Sequence, residues 1–364
     1  MKNRYSCLWL IVSLAVVLIL VAFAVARVLT QGSFPRLPCP PFCMVTFVTP
    51  SIYAPASVEQ VQVKHLFDFI LVSAAITFVL VEGMLFFAVF RFRNRPPEAA
   101  MQFHGNTKLE LAWTAAPAVI LAVLLGFTLQ TMGQVRAVPS ANALNVKAIG
   151  HQWWWEFRYP DLNIITANEL YVPVNTDIEV SIESNDVEHG FWVPELFGKV
   201  DAVPGYTNRV RFTPNQIRSD YFGGQCTQFC GLEHAQMRFA VVVRSAADFQ
   251  TWAAAQQQTP GAVTGDAAAG KAIFLQPAHG SLAGCITCHS IAGTTAAGVL
   301  APNLTHIASR GFIAGGVLAN TPADLTAWIT NAQAVKPGNM MPDFHNDLTA
   351  DQVSKIVAYL ETLK

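Results

Sequence analysis

Cys226, Cys230, His234 and Met237 follow one another at intervals of four, four and three residues. This places two thiolates, an imidazole and a thioether on one stretch of chain. Soft sulfur ligands select copper(I), zinc or iron, and a thioether adds little for zinc but is a familiar weak ligand to copper. A second imidazole is needed, and His189 supplies it at the end of a strand in Asp186-Val-Glu-His189-Gly-Phe-Trp192. A single-copper blue site needs one thiolate, whereas two bridging thiolates suit a pair of copper ions sharing an electron. A structural zinc site and a Cys226–Cys230 disulfide are the plainer alternatives; Met237 and the aromatic neighbours argue against both.

A second constellation follows, Cys285-Ile-Thr-Cys288-His289. Cys-x2-Cys-His is the attachment signature of c-type haem, the thiols adding to the vinyl groups and the histidine ligating the iron. A sixth ligand is offered downstream by Asn339-Met340-Met341-Pro342, with Met341, directly before proline, preferred to Met340. A thioredoxin-like Cys-x-x-Cys or a zinc knuckle is the rival, but no βαβ pattern surrounds the motif. With His and Met on the haem and full ligand sets on the coppers, neither centre keeps an open position. The chain is therefore expected to relay electrons.

The elements that position these groups are of three kinds. At 364 residues, 52% hydrophobic and 13% charged, with a mean hydropathy of +0.35, the chain is too apolar for an ordinary soluble protein and too polar to be all membrane. A net charge of −1 offers no basic footprint for nucleic acid. Three apolar runs stand out. Tyr5 to Ala26 follows Lys2 and Arg4 and is a signal peptide or a further span. Leu66 to Phe90, containing Glu82 and ending in Arg91-Phe-Arg-Asn-Arg95, and Leu111 to Met132 form a hairpin over about 58–135. The arginines between these two spans mark that segment as cytoplasmic, so everything after residue 133 lies outside.

Between 140 and 245 the pattern turns to strands, with runs at 145–149, 177–183, 209–212 and 239–243. Residues 246–265 give a short helix and a linker, and 266–364 return to helix. There Asp266 is expected to cap the first helix, Thr321-Pro322 to open a second, and Thr349 with Gln352 to form a capping box on the last. Cys39 and Cys43 are equally compatible with a local disulfide or two free thiols.

Leu66 to Arg244 resembles subunit II of haem-copper cytochrome c oxidases. The resemblance is carried by His104-Gly-Asn106, Glu110-Leu-Ala-Trp113-Thr, Gly150-His-Gln-Trp153-Trp-Trp, His189-Gly-Phe-Trp192-Val-Pro194, Lys199-Val-Asp201-Ala-Val-Pro204-Gly205 and the Cys226 to Met237 loop. It implies a multi-domain membrane protein with a two-helix transmembrane hairpin and an all-β cupredoxin-like Greek-key barrel. That barrel would hold the binuclear CuA centre through His189, Cys226, Cys230, His234, Met237 and the main-chain carbonyl of Gln228. Many relatives have Glu where Gln228 stands; a carbonyl ligand survives the change, whereas a magnesium site borrowing that carboxylate loses it here. Residues 266–364 resemble the all-α class I cytochrome c domain fused to subunit II in some bacterial oxidases, with haem on Cys285, Cys288, His289 and Met341.

The same resemblance implies that Trp153, an aromatic on the domain surface in the family, passes electrons to CuA, with packing the plain alternative. Glu110 would be linked to proton entry into subunit I, or serve only the dipole of its helix. The implied partners are subunits I and III, a cytochrome c or bc1-type donor and membrane lipid, at the bacterial inner membrane with both centres on the periplasmic side. An electron-transfer subunit of a nitric oxide or nitrous oxide reductase is the alternative assignment.

Overall fold

The computed structural model describes residues 51–94, 96, 105–136 and 139–364. The Tyr5 to Ala26 run, Cys7, Cys39, Cys43, Arg95 and His104 lie outside the described residues. The chain divides into two units, one containing the long apolar helices and the other the β-structure with the C-terminal helices.

Helices α1 (Val58–Phe92) and α2 (Thr107–Val135) extend beyond the apolar runs at both ends. Their most apolar 18-residue windows have mean hydropathies of 2.3 and 2.0, and neither is buried by protein. Side chains apolar all round and uncovered suit hydrocarbon, not water. Phe69, early in α1, meets Phe127, late in α2, with ring centroids 5.2 Å apart, so the two helices run antiparallel. Asn106 caps α2 by accepting from the Leu109 N–H at 3.3 Å.

Ten strands build two five-stranded sheets. β1 (Leu144–His151), β2 (Trp154–Tyr159), β3 (Ile164–Ala167), β5 (Ile178–Ser184) and β8 (Asn208–Phe212) form one, in the order β3-β2-β1-β5-β8. The other holds β4 (Glu169–Pro173), β6 (His189–Val193), β7 (Phe197–Ala202), β9 (Phe222–Cys226) and β10 (Arg238–Arg244), in the order β4-β10-β9-β6-β7. Crossed parallel pairs, β1 with β5 and β10 with β4, are those of a Greek-key sandwich and not of a meander. Alternation in β5, with Ile178, Val180 and Ile182 fully buried, sends one face inward. The core is aromatic: Phe191 stacks on Phe239 at 4.5 Å and meets Trp155 edge-on at 5.0 Å, and all three are 0% exposed.

Helix α3 (Ala246–Gln256), capped by Ser245, packs Phe249 and Ala253 into the sandwich core. The helical region that follows comprises α4 (Gly265–Phe274), the single turn α5 (Cys285–Cys288), α6 (Pro322–Thr330), α7 (Ala332–Val335) and α8 (Ala350–Leu360). Thr321 caps α6 with Pro322 at its first position, and Thr349 and Gln352 close the capping box on α8. The expectation for Asp266 is corrected: Thr264 occupies the cap position of α4 and Asp266 lies within its first turn. An acid there still interacts favourably with the positive end of the helix dipole. Helices α4 and α8 cross at Gly270, where a Cβ would lie 1.8 Å from the Lys355 carbonyl oxygen. Only glycine allows that approach.

Candidate metal and haem centres

Strand β6 pairs with β9, Phe191 opposite Cys226, and this sets His189 beside the loop 226–237. Two glycines make room. A Cβ on Gly190 would stand 2.4 Å from the Thr227 hydroxyl and 2.8 Å from the Gln228 nitrogen, and one on Gly150 would stand 2.7 Å from the His189 ring. The Thr227 N–H donates to the Gly190 carbonyl at 3.0 Å, fixing the loop against the strand.

The donor atoms gather around a pair of sulfurs. Cys226 Sγ and Cys230 Sγ are 3.7 Å apart. This is too far for a disulfide, whose S–S bond is about 2.05 Å, and both thiols are free. His189 Nδ1 (4.0 Å) and the Gln228 carbonyl oxygen (3.2 Å) lie on the Cys226 side. His234 Nδ1 (3.6 Å) and Met237 Sδ (3.9 Å) lie on the Cys230 side. His189 and Met237 are 0% exposed and the two cysteines nearly so. His189, Cys226 and Cys230 form the one cluster of metal-binding side chains of its kind found among the described residues. Two thiolates with two imidazoles, a thioether and a carbonyl oxygen around them fit a pair of soft ions sharing the sulfurs. A single tetrahedral zinc would leave donors over.

The electrostatics agree. Cys226 is held far below the usual thiol range, first by its hydrogen bond with the Cys230 thiol, whose own pKa rises in return. Burial works to lower the His189 pKa, but its bonds to Asp186 and Cys226 raise it. Asp186 Oδ1 lies 2.8 Å from His189 Nε2, so a proton on Nε2 leaves Nδ1 as the ligand atom.

The second centre surrounds a cavity of about 220 Å³ in the helical region. Cys285 and Cys288 bound the turn α5 and His289 follows it. Leu304, Ile307, Leu325, Ile329 and Phe344 give the cavity an apolar lining. The His289 Nδ1 lies 2.8 Å from the Pro302 carbonyl oxygen. A carbonyl can only accept, so Nδ1 carries the proton and Nε2 keeps its lone pair; burial also lowers the pKa and keeps the ring neutral. Burial pushes the Cys285 thiol up to about 11. Arg310 Nε is buried without a hydrogen-bond partner while its residue lines the cavity. An orphaned cationic donor suits a ligand with acidic arms, and haem carries two carboxylates. Met341 and Met340 both line the cavity, but Met341 packs into the apolar core and Met340 is 74% exposed. Met341→Ala is therefore expected to leave the haem attached and to abolish its low-spin methionine-ligated spectrum; an unchanged visible spectrum moves the ligand to Met340.

Trp153 lies between the two centres. Its indole N–H donates to the Cys230 carbonyl at 2.9 Å, and Gln152 Nε2 donates to the same oxygen at 2.7 Å. Both residues also line the cavity. Trp153 is 8% exposed, in contrast to the surface position implied by resemblance, because residues of the helical region cover it. Trp155 packs in the core, and Trp154 stacks on His151 at 4.2 Å. Glu110, in the first turn of α2, accepts from the Asn106 N–H at 3.1 Å and so closes the helix start.

Known proteins resemble the chain over most of its length. Residues 51–130 match the family described as Cytochrome C oxidase subunit II, transmembrane domain; 163–245 match its periplasmic domain, and 267–364 match Cytochrome c. Cytochrome c oxidase subunit 2 of Alkalihalophilus pseudofirmus is 32% identical over 83% of this chain and 88% of its own. The chain belongs to the cytochrome c oxidase subunit II family. Subunit 2 of Bacillus sp. PS3 is 33% identical over 75% of this chain and 80% of its own. The solved periplasmic domain of subunit II from Bradyrhizobium japonicum is 32% identical over 33% of this chain and 97% of its own, with a TM-score of 0.31. This subunit II is membrane-anchored, and it joins a copper-type periplasmic domain to a cytochrome c domain.

Spacing picks out Cys226, Cys230, His234 and Met237, and a strand-end motif picks out His189; the structure brings these candidates together. Asp186, Arg310 and Lys336 stand in no metal-ligand spacing. Asp186 lies three residues before a recognised ligand, which is the one local signal available; the other two act through chain segments remote in sequence.

Proposed function

We propose that this subunit passes electrons one at a time from an external donor to the catalytic subunit I, entering at Cys285–His289 and leaving through the Cys226–Met237 loop. Cys285 and Cys288 would hold a haem c covalently, with His289 and Met341 supplying its iron ligands. His189, Cys226, Cys230, His234, Met237 and the Gln228 carbonyl hold two copper ions as CuA. When bound, each group takes up and releases a single electron without a change of ligands. The protein's part is to keep the donor sets fixed. Asp186 and the Pro302 carbonyl orient the His189 and His289 imidazoles, and the apolar lining keeps water from the haem pocket.

The observation that carries the reading is Trp153, which lines the haem cavity and hydrogen-bonds the carbonyl of a copper-ligating cysteine. Oxygen reduction and proton pumping belong to subunit I, with subunit III and a cytochrome c or bc1-type donor completing the assembly. Residues 58–135 anchor the chain in the bacterial inner membrane, 140–245 form the copper domain and 266–364 the haem domain, both periplasmic, with 246–265 between them. Glu110, at the cytoplasmic end of α2, borders the proton entrance of subunit I. Metal and pigment analysis of the purified complex is expected to give two coppers from this subunit per covalent haem, with a near-infrared copper band. Zinc in their place and no such band would overturn the copper assignment.

A further inference from the structure

Lys336 ends α7 and is 2% exposed. Its Nζ donates to the Trp153 carbonyl at 2.9 Å, the Gln236 carbonyl at 3.0 Å and the Ala314 carbonyl at 3.3 Å. An ammonium has three protons, and all three are used. Two of the acceptors belong to the copper domain: one in the β1–β2 turn that carries Trp153, the other immediately before Met237. The third belongs to the haem-pocket wall. Gly315 seals the junction, since at its φ of +70° an added Cβ would lie 2.8 Å from Lys336 Nζ and 3.0 Å from the Trp153 oxygen. The Arg238 N–H at the start of β10 donates to the Gly315 carbonyl at 3.1 Å.

The far end of the same wall is also tied down. The Glu169 carboxylate, 3% exposed, accepts from the Gly311 and Phe312 N–H groups at 2.6 and 3.4 Å. Phe312 packs beside Ala240 and Val242 of β10.

A methionine of similar length would fill the Lys336 site without the desolvation penalty of a buried charge, which pushes the lysine pKa down to about 8. It could not engage three carbonyls, nor could it place a positive charge between the two centres. We propose that Lys336 is a positioning residue for transfer between the centres, clamping the haem-pocket wall onto the turn and loop that hold Trp153 and the copper ligands. The inference rests on the functional reading above. The transfer it serves moves one electron from ferrous haem to the oxidised copper pair, with no bond or proton exchanged. The fixed charge favours the reduced form of both centres, so it also raises both potentials.

The test uses the intact oxidase carrying Lys336→Met or, separately, Gly315→Ala. Hydrogen exchange at the Arg238, Gly311 and Phe312 amides reports docking. Flash-initiated transfer from haem to copper and the two midpoint potentials report its consequence. In Lys336→Met, with covalent haem and the copper band retained, exchange is expected to rise and transfer to slow by about tenfold or more, the order set by losing charged hydrogen bonds. Transfer should also become viscosity-dependent and both potentials should fall. Gly315→Ala should loosen docking and slow transfer with the potentials held, because the ammonium is kept. Unchanged exchange and transfer in Lys336→Met overturns the proposal. If that variant loses haem or copper, unchanged exchange in Gly315→Ala overturns it instead. Absence of haem-to-copper transfer in the wild type would refute the functional reading, whereas transfer that survives both variants refutes only the role of Lys336.

Discussion

Replacing Cys230 by serine is expected to empty the copper centre and stop oxygen consumption, while the haem stays attached to Cys285 and Cys288. The two sulfurs sit 3.7 Å apart, each within 4.0 Å of an imidazole nitrogen, so the Cys230 thiolate is central to the donor set. A serine hydroxyl is a harder ligand that stays protonated near neutrality, and it cannot bridge soft ions as a thiolate does. Loss of an orienting outer partner alone typically costs 10–100-fold in metal affinity, so loss of a bridging ligand should lower turnover by at least about 10²-fold. The haem region has its own apolar core, including Phe274, Ile291, Leu325 and Ile356. Its visible spectrum should therefore be unchanged. Copper content, near-infrared absorption and oxygen uptake check the prediction, and a variant that keeps two coppers and wild-type turnover contradicts it.

Trp153→Leu is the second large effect. The indole fills space between the haem cavity and the Cys230 carbonyl, and its N–H is one of two donors to that oxygen. Leucine removes the ring, leaves Gln152 as the remaining donor and opens a void at a buried position; Trp-to-Ala changes of this kind cost about 3–5 kcal/mol, and leucine somewhat less. Both centres should keep their spectra. Steady-state turnover should fall about 10–100-fold, the order that a misplacement of 1 Å can produce, and the haem should accumulate in its reduced form during turnover. Trp153→Phe keeps a ring but loses the hydrogen bond and should fall between leucine and wild type. Wild-type turnover with an oxidised haem in Trp153→Leu would remove Trp153 from the path and leave it a packing role.

Local chemistry was legible in the sequence and tertiary docking was not. The sulfur donors lie within 226–237 and 285–289, so spacing alone brings them forward, and His189 stands in a motif that ends on a strand. The strands at 145–149, 177–183, 209–212 and 239–243 announce themselves by pattern and lie within β1, β8 and β10 or across most of β5. Caps at Thr321 and Thr349 need only three following residues to be recognised. Asp266 shows the limit of that logic. An acid near a helix start satisfies the dipole from the cap or from the first turn, and sequence does not separate the two positions.

Lys336 and Glu169 lie beyond local pattern for a different reason. Lys336 meets Trp153 across 183 positions and Glu169 meets Gly311 across 142. A lone lysine after Asn-Ala-Gln-Ala-Val looks like any solvated charge until the surface that covers it is known. The burial of Trp153 is the other side of the same fact, because an aromatic exposed on one domain becomes interior when a second domain is fused and docked over it.

The measurement that bears most directly on the account is flash reduction of the haem in the intact oxidase, with haem and copper bands followed together. Each electron leaving the haem is expected to arrive on the copper pair at the same rate, one for one and independent of protein concentration. A haem that stays reduced while the copper pair is reduced directly by external donor would contradict it.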